Sequence, residues 1–164
     1  MPIPCICPLD DIQKNCKKNV SGLEGVVHVA CLDDLLTSPV AAVNTYNVAA
    51  LAMTPTKVFH TWAVDVKDTN FDDKPNEGGM REITYTAFIP RLESEKSYML
   101  DNLGEENQIC IVHDNNGKVR IIGDKTHGAT VTFEEVVSPK NGYKLTIKCM
   151  QPHVAYFLTG AIPV

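Results

Sequence analysis

The last third of the chain constrains the fold most. Gln108 to Gln151 holds four runs of β-forming residues, opening on Q-I-C-I-V-H and closing on Y-K-L-T-I-K-C-M-Q. The first two runs are separated by Asp114-Asn115-Asn116-Gly117 and the last two by Ser138-Pro139-Lys140-Asn141-Gly142. Asn-Gly tolerates the positive φ angles of tight hairpin turns, so each spacer predicts a hairpin. In the final run Tyr143, Leu145, Ile147 and Cys149 alternate with Lys144, Thr146, Lys148 and Met150. That period of two predicts a strand with one buried and one wet or partnered face.

Upstream, Gly25–Leu32 reads as a strand, and Asp33-Asp34 as the start of a short helical turn. Residues 37–56 read as loop or short strand. Lys57–Lys67 predicts a strand whose Val58, His60, Trp62, Val64 and Val66 face the core, with Phe59, Thr61, Ala63 and Asp65 opposite. Arg81–Ile89 predicts a second long strand. Between them, residues 68–80 read as a long polar inter-strand loop with Pro75, Gly78 and Gly79. Its acids lack the ligand order of an EF-hand, so a solvated or partner-binding loop is the expectation.

After Pro90, Leu92, Met99, Leu100 and Leu103 recur at helical spacing, and Gly104 offers a stop. One helix is predicted over about residues 91–103. His153–Leu158 is a last edge strand or extended tail. Residues 1–24 read as an extended N-terminal arm without a core of its own, and residues 25–164 as a single β-rich domain. The fold class expected is mainly β: a β-sandwich or partly closed barrel with one flanking helix.

The chain's 164 residues suffice for one core. A net charge of −5 argues against the basic surface of nucleic-acid-binding proteins. No apolar run is long enough to span a bilayer, and the N-terminus has no secretory pattern. Disulfides are therefore not the default expectation for the six cysteines. Cys110 and Cys149 read as small core residues. Cys5, Cys7 and Cys16, with Cys31 or His28, have poor spacing for zinc and read as unliganded. His28 and His60 read as hydrogen-bonded structural residues. No phosphate loop, nucleophile elbow or metalloprotease motif is present, so no catalytic residue, cofactor or metal is assigned.

The order strand, long strand, loop, long strand, helix and hairpin meander resembles tail-tube proteins of tailed phages and contractile injection systems. The run I-C-I-V-H-D-N-N-G-K-V-R-I-I-G-D, followed by N-G-Y-K-L-T-I-K and Ala155-Tyr156, is similar to short structural proteins of Bacteroidetes phages and prophages. This likeness covers roughly residues 80–157, with residues 25–80 matched by architecture alone. It implies a virion protein forming hexameric rings that stack into a conduit for passing DNA, with other virion proteins and no membrane as partners. It also implies that Asp68, Asn70, Phe71, Asp72, Asp73, Lys74 and Glu77 reach an adjacent subunit, and that Lys144 and Lys148 lie against a neighbour or the lumen. The other readings are a head-decoration or head–tail ring protein, and a monomeric β-sandwich module for peptide or glycan.

Unliganded N-terminal cysteines carry a direct expectation. Chelation should leave the melting temperature unchanged, and elemental analysis should find no stoichiometric zinc; about one zinc per chain would overturn it.

Overall fold

The computed structural model describes residues 9–12, 24–113, 118–138 and 141–164, with backbone alone for residues 24 and 66–68. The elements are β1 (Glu24–Cys31), a 3-10 turn (Leu32–Asp34), β2 (Asn47–Val48), β3 (His60–Pro75), β4 (Arg81–Pro90), α1 (Ser94–Asp101), β5 (Gln108–His113), β6 (Val119–Ile122), β7 (Thr130–Val136), β8 (Gly142–Gln151) and β9 (Tyr156–Leu158). All nine strands join one sheet in the order β2-β9-β6-β5-β1-β3-β4-β8-β7. The architecture is mainly β with one helix among the described residues, and the sheet is not closed into a barrel.

β3 is the corner of this sheet. Its first half pairs with β1, from Val29↔His60 to Glu24↔Asp65. Its second half pairs with β4, from Asn70↔Thr86 to Pro75↔Arg81. Between these halves the register shifts, because Asp65 still faces Phe88 while Asn70 faces Thr86. Five steps along β3 thus match two along β4, and such a bulge bends and twists a strand. The free side of the first half is taken by Ile12, whose N–H donates to Thr61 O while its carbonyl accepts from Ala63 N. Residues 9–12 therefore dock on the domain, and the Trp62 indole N–H donates to Asp10 O. The rest of the expected arm, with Cys5, Cys7 and Cys16, lies outside the described residues.

Folding over at β3 buries one apolar cluster between the two halves. Val27, Val29, Trp62, Cys110 and Val112 share it with Ile83, Tyr85, Val131, Leu145, Ile147 and Cys149. On the far side, one antiparallel bridge among the described residues joins the halves. Gln108 and Ala129 exchange both backbone hydrogen bonds there, at 3.2 and 2.7 Å. Gly128 makes this approach possible, since a Cβ at that position would collide with the Glu106 carbonyl. A second cluster lies behind β5, where Ile109, Ile111 and Ile121 meet Leu35, Val48, Phe59 and Leu158. Burial on both faces explains why β5 reads as an unbroken apolar run.

Both C-terminal hairpins form, with His113↔Val119 and Val136↔Gly142 closing them. Their turn residues 114–117 and 139–140 lie outside the described residues. The alternation of β8 is as expected: Tyr143, Leu145, Ile147 and Cys149 are buried, and Lys144, Lys148 and Met150 are exposed. β9 is not an edge, since it pairs with β6 and, in parallel, with β2.

Four further expectations need correction. Residues 68–80 are not a long loop: β3 continues to Pro75, and only a short turn remains, in which Asn76 Oδ1 accepts from Gly78 N and Met80 N. The strand escapes a hydrophobicity reading because both its faces carry polar groups. The helix is shorter than residues 91–103, since Arg91 sits at φ 69° and cannot belong to it; Leu92 and Leu103 still pack on the core from outside. Val58 is exposed, and Phe59 precedes the strand and fills the second cluster. Cys31, expected as a thiol, is disulfide-bonded and so is withdrawn from any zinc set.

Ile147→Ala should therefore cost about 2–5 kcal/mol of stability. Lys148→Ala, on the exposed face, should change it by about half a kcal/mol. Thermal melting of the two variants measures the difference, and equal losses would reverse the inside-outside assignment of β8.

Candidate functional site

The second half of the sheet offers a broad face to solvent. Registers carry single rows of side chains across four strands. One row runs Asn70–Thr86–Thr146–Thr132, and the next Asp72–Thr84–Lys148–Thr130. Beside them lie Lys74–Glu82–Met150 and Phe88–Lys144–Glu134. Alternation dictates this set, because the intervening residues turn to the buried cluster. Three carboxylates (Asp72, Glu82, Glu134) meet three ammonium groups (Lys74, Lys144, Lys148), so the face is balanced in charge. Lys74 stands opposite Glu82, and Lys144 opposite Glu134, as favourable cross-strand pairs.

The residues singled out by resemblance divide accordingly. Asn70, Asp72 and Lys74 share this face with Lys144 and Lys148. Glu77 is exposed in the turn. The side chain of Asp68 lies outside the described residues. Phe71 and Asp73 point the other way. Phe71 packs on the main core, and Asp73 is an ion-pair partner whose side chain is largely buried, 9% exposed. Its Oδ1 accepts from Arg81 Nε at 2.7 Å, and its Oδ2 lies 3.8 Å from Arg120 and accepts from Ala155 N. The Arg120 guanidinium also donates to Ala155 O and stacks between Phe71 and Phe157. This cluster fastens the β3–β4 hairpin to β6 and β9, and removing one partner would strand a buried charge.

A second buried carboxylate went unnoticed in the sequence. Asp124 follows β6 and is 7% exposed. Its Oδ1 accepts from Thr126 N and His127 N, as an Asx turn does, and its Oδ2 faces His153 Nε2 at 3.1 Å. Burial alone would raise its carboxyl. The two backbone N–H groups, His153 and the His127 charge outweigh that and hold it below the ordinary range. His153 also stacks flat on Tyr156 at 4.0 Å, which ties β9 to the loop after β6. The local clue was G-D-K-T-H, where Asp precedes two turn residues, but nothing in it announces His153.

His28, His60, Cys110 and Cys149 sit in partnered or buried positions. His28 Nδ1 lies 3.1 Å from the Thr61 hydroxyl, and burial, then the neighbouring His113, lowers its pKa. His60 Nδ1 lies 3.5 Å from Asp11. Burial pushes the Cys149 thiol up to about 12 and moves Cys110 upward as well, so neither is a ready nucleophile. Among the described residues no group of three or more His, Cys, Asp or Glu side chains is placed to hold a metal ion, and no helix is long and apolar enough to cross a membrane. A scan against family models, a search of curated proteins and a search of solved structures return no match to this chain.

The depressed Asp124 carboxyl has a signed consequence. Its folded pKa lies below the unfolded value, so it stabilises the fold above about pH 4 and loses that contribution as pH falls through the folded pKa. Asp124→Asn should destabilise the protein by about 1–3 kcal/mol at pH 7. Melting curves of both proteins from pH 7 to pH 2.5 should converge at the acid end.

Proposed function

We propose that the chain is a structural subunit of a phage tail-tube-like assembly, in which copies join as rings and rings stack into a conduit. One observation supports this reading best. Among the described residues, a four-strand face, flat in register, charge-balanced and lined by threonines, is left uncovered on a sheet that also ends in an open edge. A ring gains a wall that neither repels nor binds a polyanion strongly, because its carboxylates and ammonium groups alternate. Edge strands in a closed ring find partners in neighbouring copies, which limits runaway pairing. The hairpin turn at Asn76–Gly79, with exposed Glu77, is the natural reach toward an adjacent ring. Asp73 and Phe71 belong to the subunit interior and hold that hairpin in place.

A second reading, a β-sandwich binding module, is favoured by an open groove beside α1, lined by Ser97, Tyr98, Asp101, Phe133 and Glu135.

Size-exclusion chromatography with negative-stain imaging of the full chain tests the assembly. Rings or tubes are expected, and they should be lost in the double variant Lys144→Glu/Lys148→Glu while its melting temperature stays within a few degrees of wild type. A monomer at every concentration would overturn the proposal.

A further inference from the structure

The two edges of the sheet are unequal. β2 is two residues long, and a short strand is itself a protection against unwanted pairing. β7 has no such protection of length. It runs seven residues, pairs with β8 without interruption from Thr130↔Lys148 to Val136↔Gly142, and carries neither bulge nor proline. Among the described residues no strand pairs with its outer side. Beyond the bridge at Ala129, its outward N–H and C=O groups form a ready template for an added strand.

What flanks this edge is chemically selective. α1 packs over the inner side of β7 and leaves a groove of about 550 Å³. Phe133 and the exposed Tyr98 supply aromatic faces, and Asp101 and Glu135 supply carboxylates; among the described residues no basic residue lines it. The Ser97 hydroxyl donates to Glu135 Oε1 at 2.8 Å, and Phe133 is braced edge-on against Tyr143 at 5.9 Å, so both walls are held from behind. Two carboxylates beside two aromatic faces suit a cationic side chain. A second β7 is disfavoured, because an antiparallel copy centred on Phe133 would set the two Glu134 carboxylates on a cross-strand diagonal of one another.

We propose that the β7 edge with its α1 groove is a docking site for an extended segment of a partner protein bearing a lysine or arginine, whose backbone pairs with β7 while its cationic side chain enters between Tyr98 and Glu135. The site does not rest on the tube reading, in which a neighbouring copy would take this same edge. A monomeric chain would use it equally well, and failure of ring assembly would leave it untouched.

Fluorescence anisotropy on the full chain provides the test, using a labelled peptide Thr-Val-Thr-Lys-Thr-Val-Thr and its Glu-centred counterpart. The Lys peptide should bind saturably and at least about tenfold more tightly, with affinity falling as salt rises. Asp101→Asn/Glu135→Gln and, separately, Tyr98→Ala should each weaken it about tenfold while melting as wild type. Backbone N-methylation of the peptide should abolish binding, and the Lys peptide should slow hydrogen exchange of the β7 amides. Equal affinity for the two peptides, no binding of either, or undiminished binding to the charge-neutral variant would each overturn the proposal.

Discussion

Every other element depends on how β3 satisfies its backbone. A strand sixteen residues long has two sides of N–H and C=O groups, and leaving either side unpaired inside the molecule would be costly. β3 answers by changing partners midway. Its first half lies between β1 and Ile12, and its second half pairs with β4. The bulge where the exchange occurs bends the sheet, and that bend lets one continuous sheet act as both layers of a sandwich. Trp62 on the first half and Phe71 on the second then meet the same core.

Once the sheet has folded over, its free side must be held against splaying. One backbone bridge at Gln108–Ala129 and two polar clusters do this. Each cluster is built around a buried carboxylate with partners from several segments. Asp73 gathers Arg81, Arg120 and the Ala155 N–H; Asp124 gathers His127 and His153. Both bring the segment after β8 back against earlier strands. Burying such groups gives little net stability compared with apolar packing. Their effect is on specificity, because a misfolded register would leave a carboxylate unpaired and dry.

Residues whose role is set by local pattern were legible in the sequence, and those set by distant partners were not. The alternation of β8, both C-terminal hairpins and the pairing of Leu92, Met99 and Leu100 with the core followed from period and turn chemistry. The second half of β3 did not. Asn70, Asp72 and Lys74 face solvent while Asp73 turns inward, so a strand polar on both faces has no hydrophobic period to detect. Its strand character comes from β4 and from two arginines, one of them 47 positions downstream. Phe59 was misassigned for a related reason. Its neighbours suggested a single core, whereas β5 is covered on both sides and Phe59 serves the second.

Polarity on the outer face is a positive feature of the design rather than a residue of it. If the four rows existed only to stay soluble, charge of either sign would serve. Instead each lysine on β3 or β8 with a directly opposite charged residue faces a glutamate, and the middle row carries threonines and asparagine with no charge at all. Cross-strand threonines are good β-formers that keep a face flat and hydrated without making it sticky. A face of that kind stays hydrated and resists nonspecific adhesion. The acidic edge at Glu134–Glu135 borders it, so the same half of the sheet combines a neutral plane with a charged rim. Neutral plane and charged rim thus make different demands on any contact: the plane rewards shape and regular spacing, and the rim rewards positive charge.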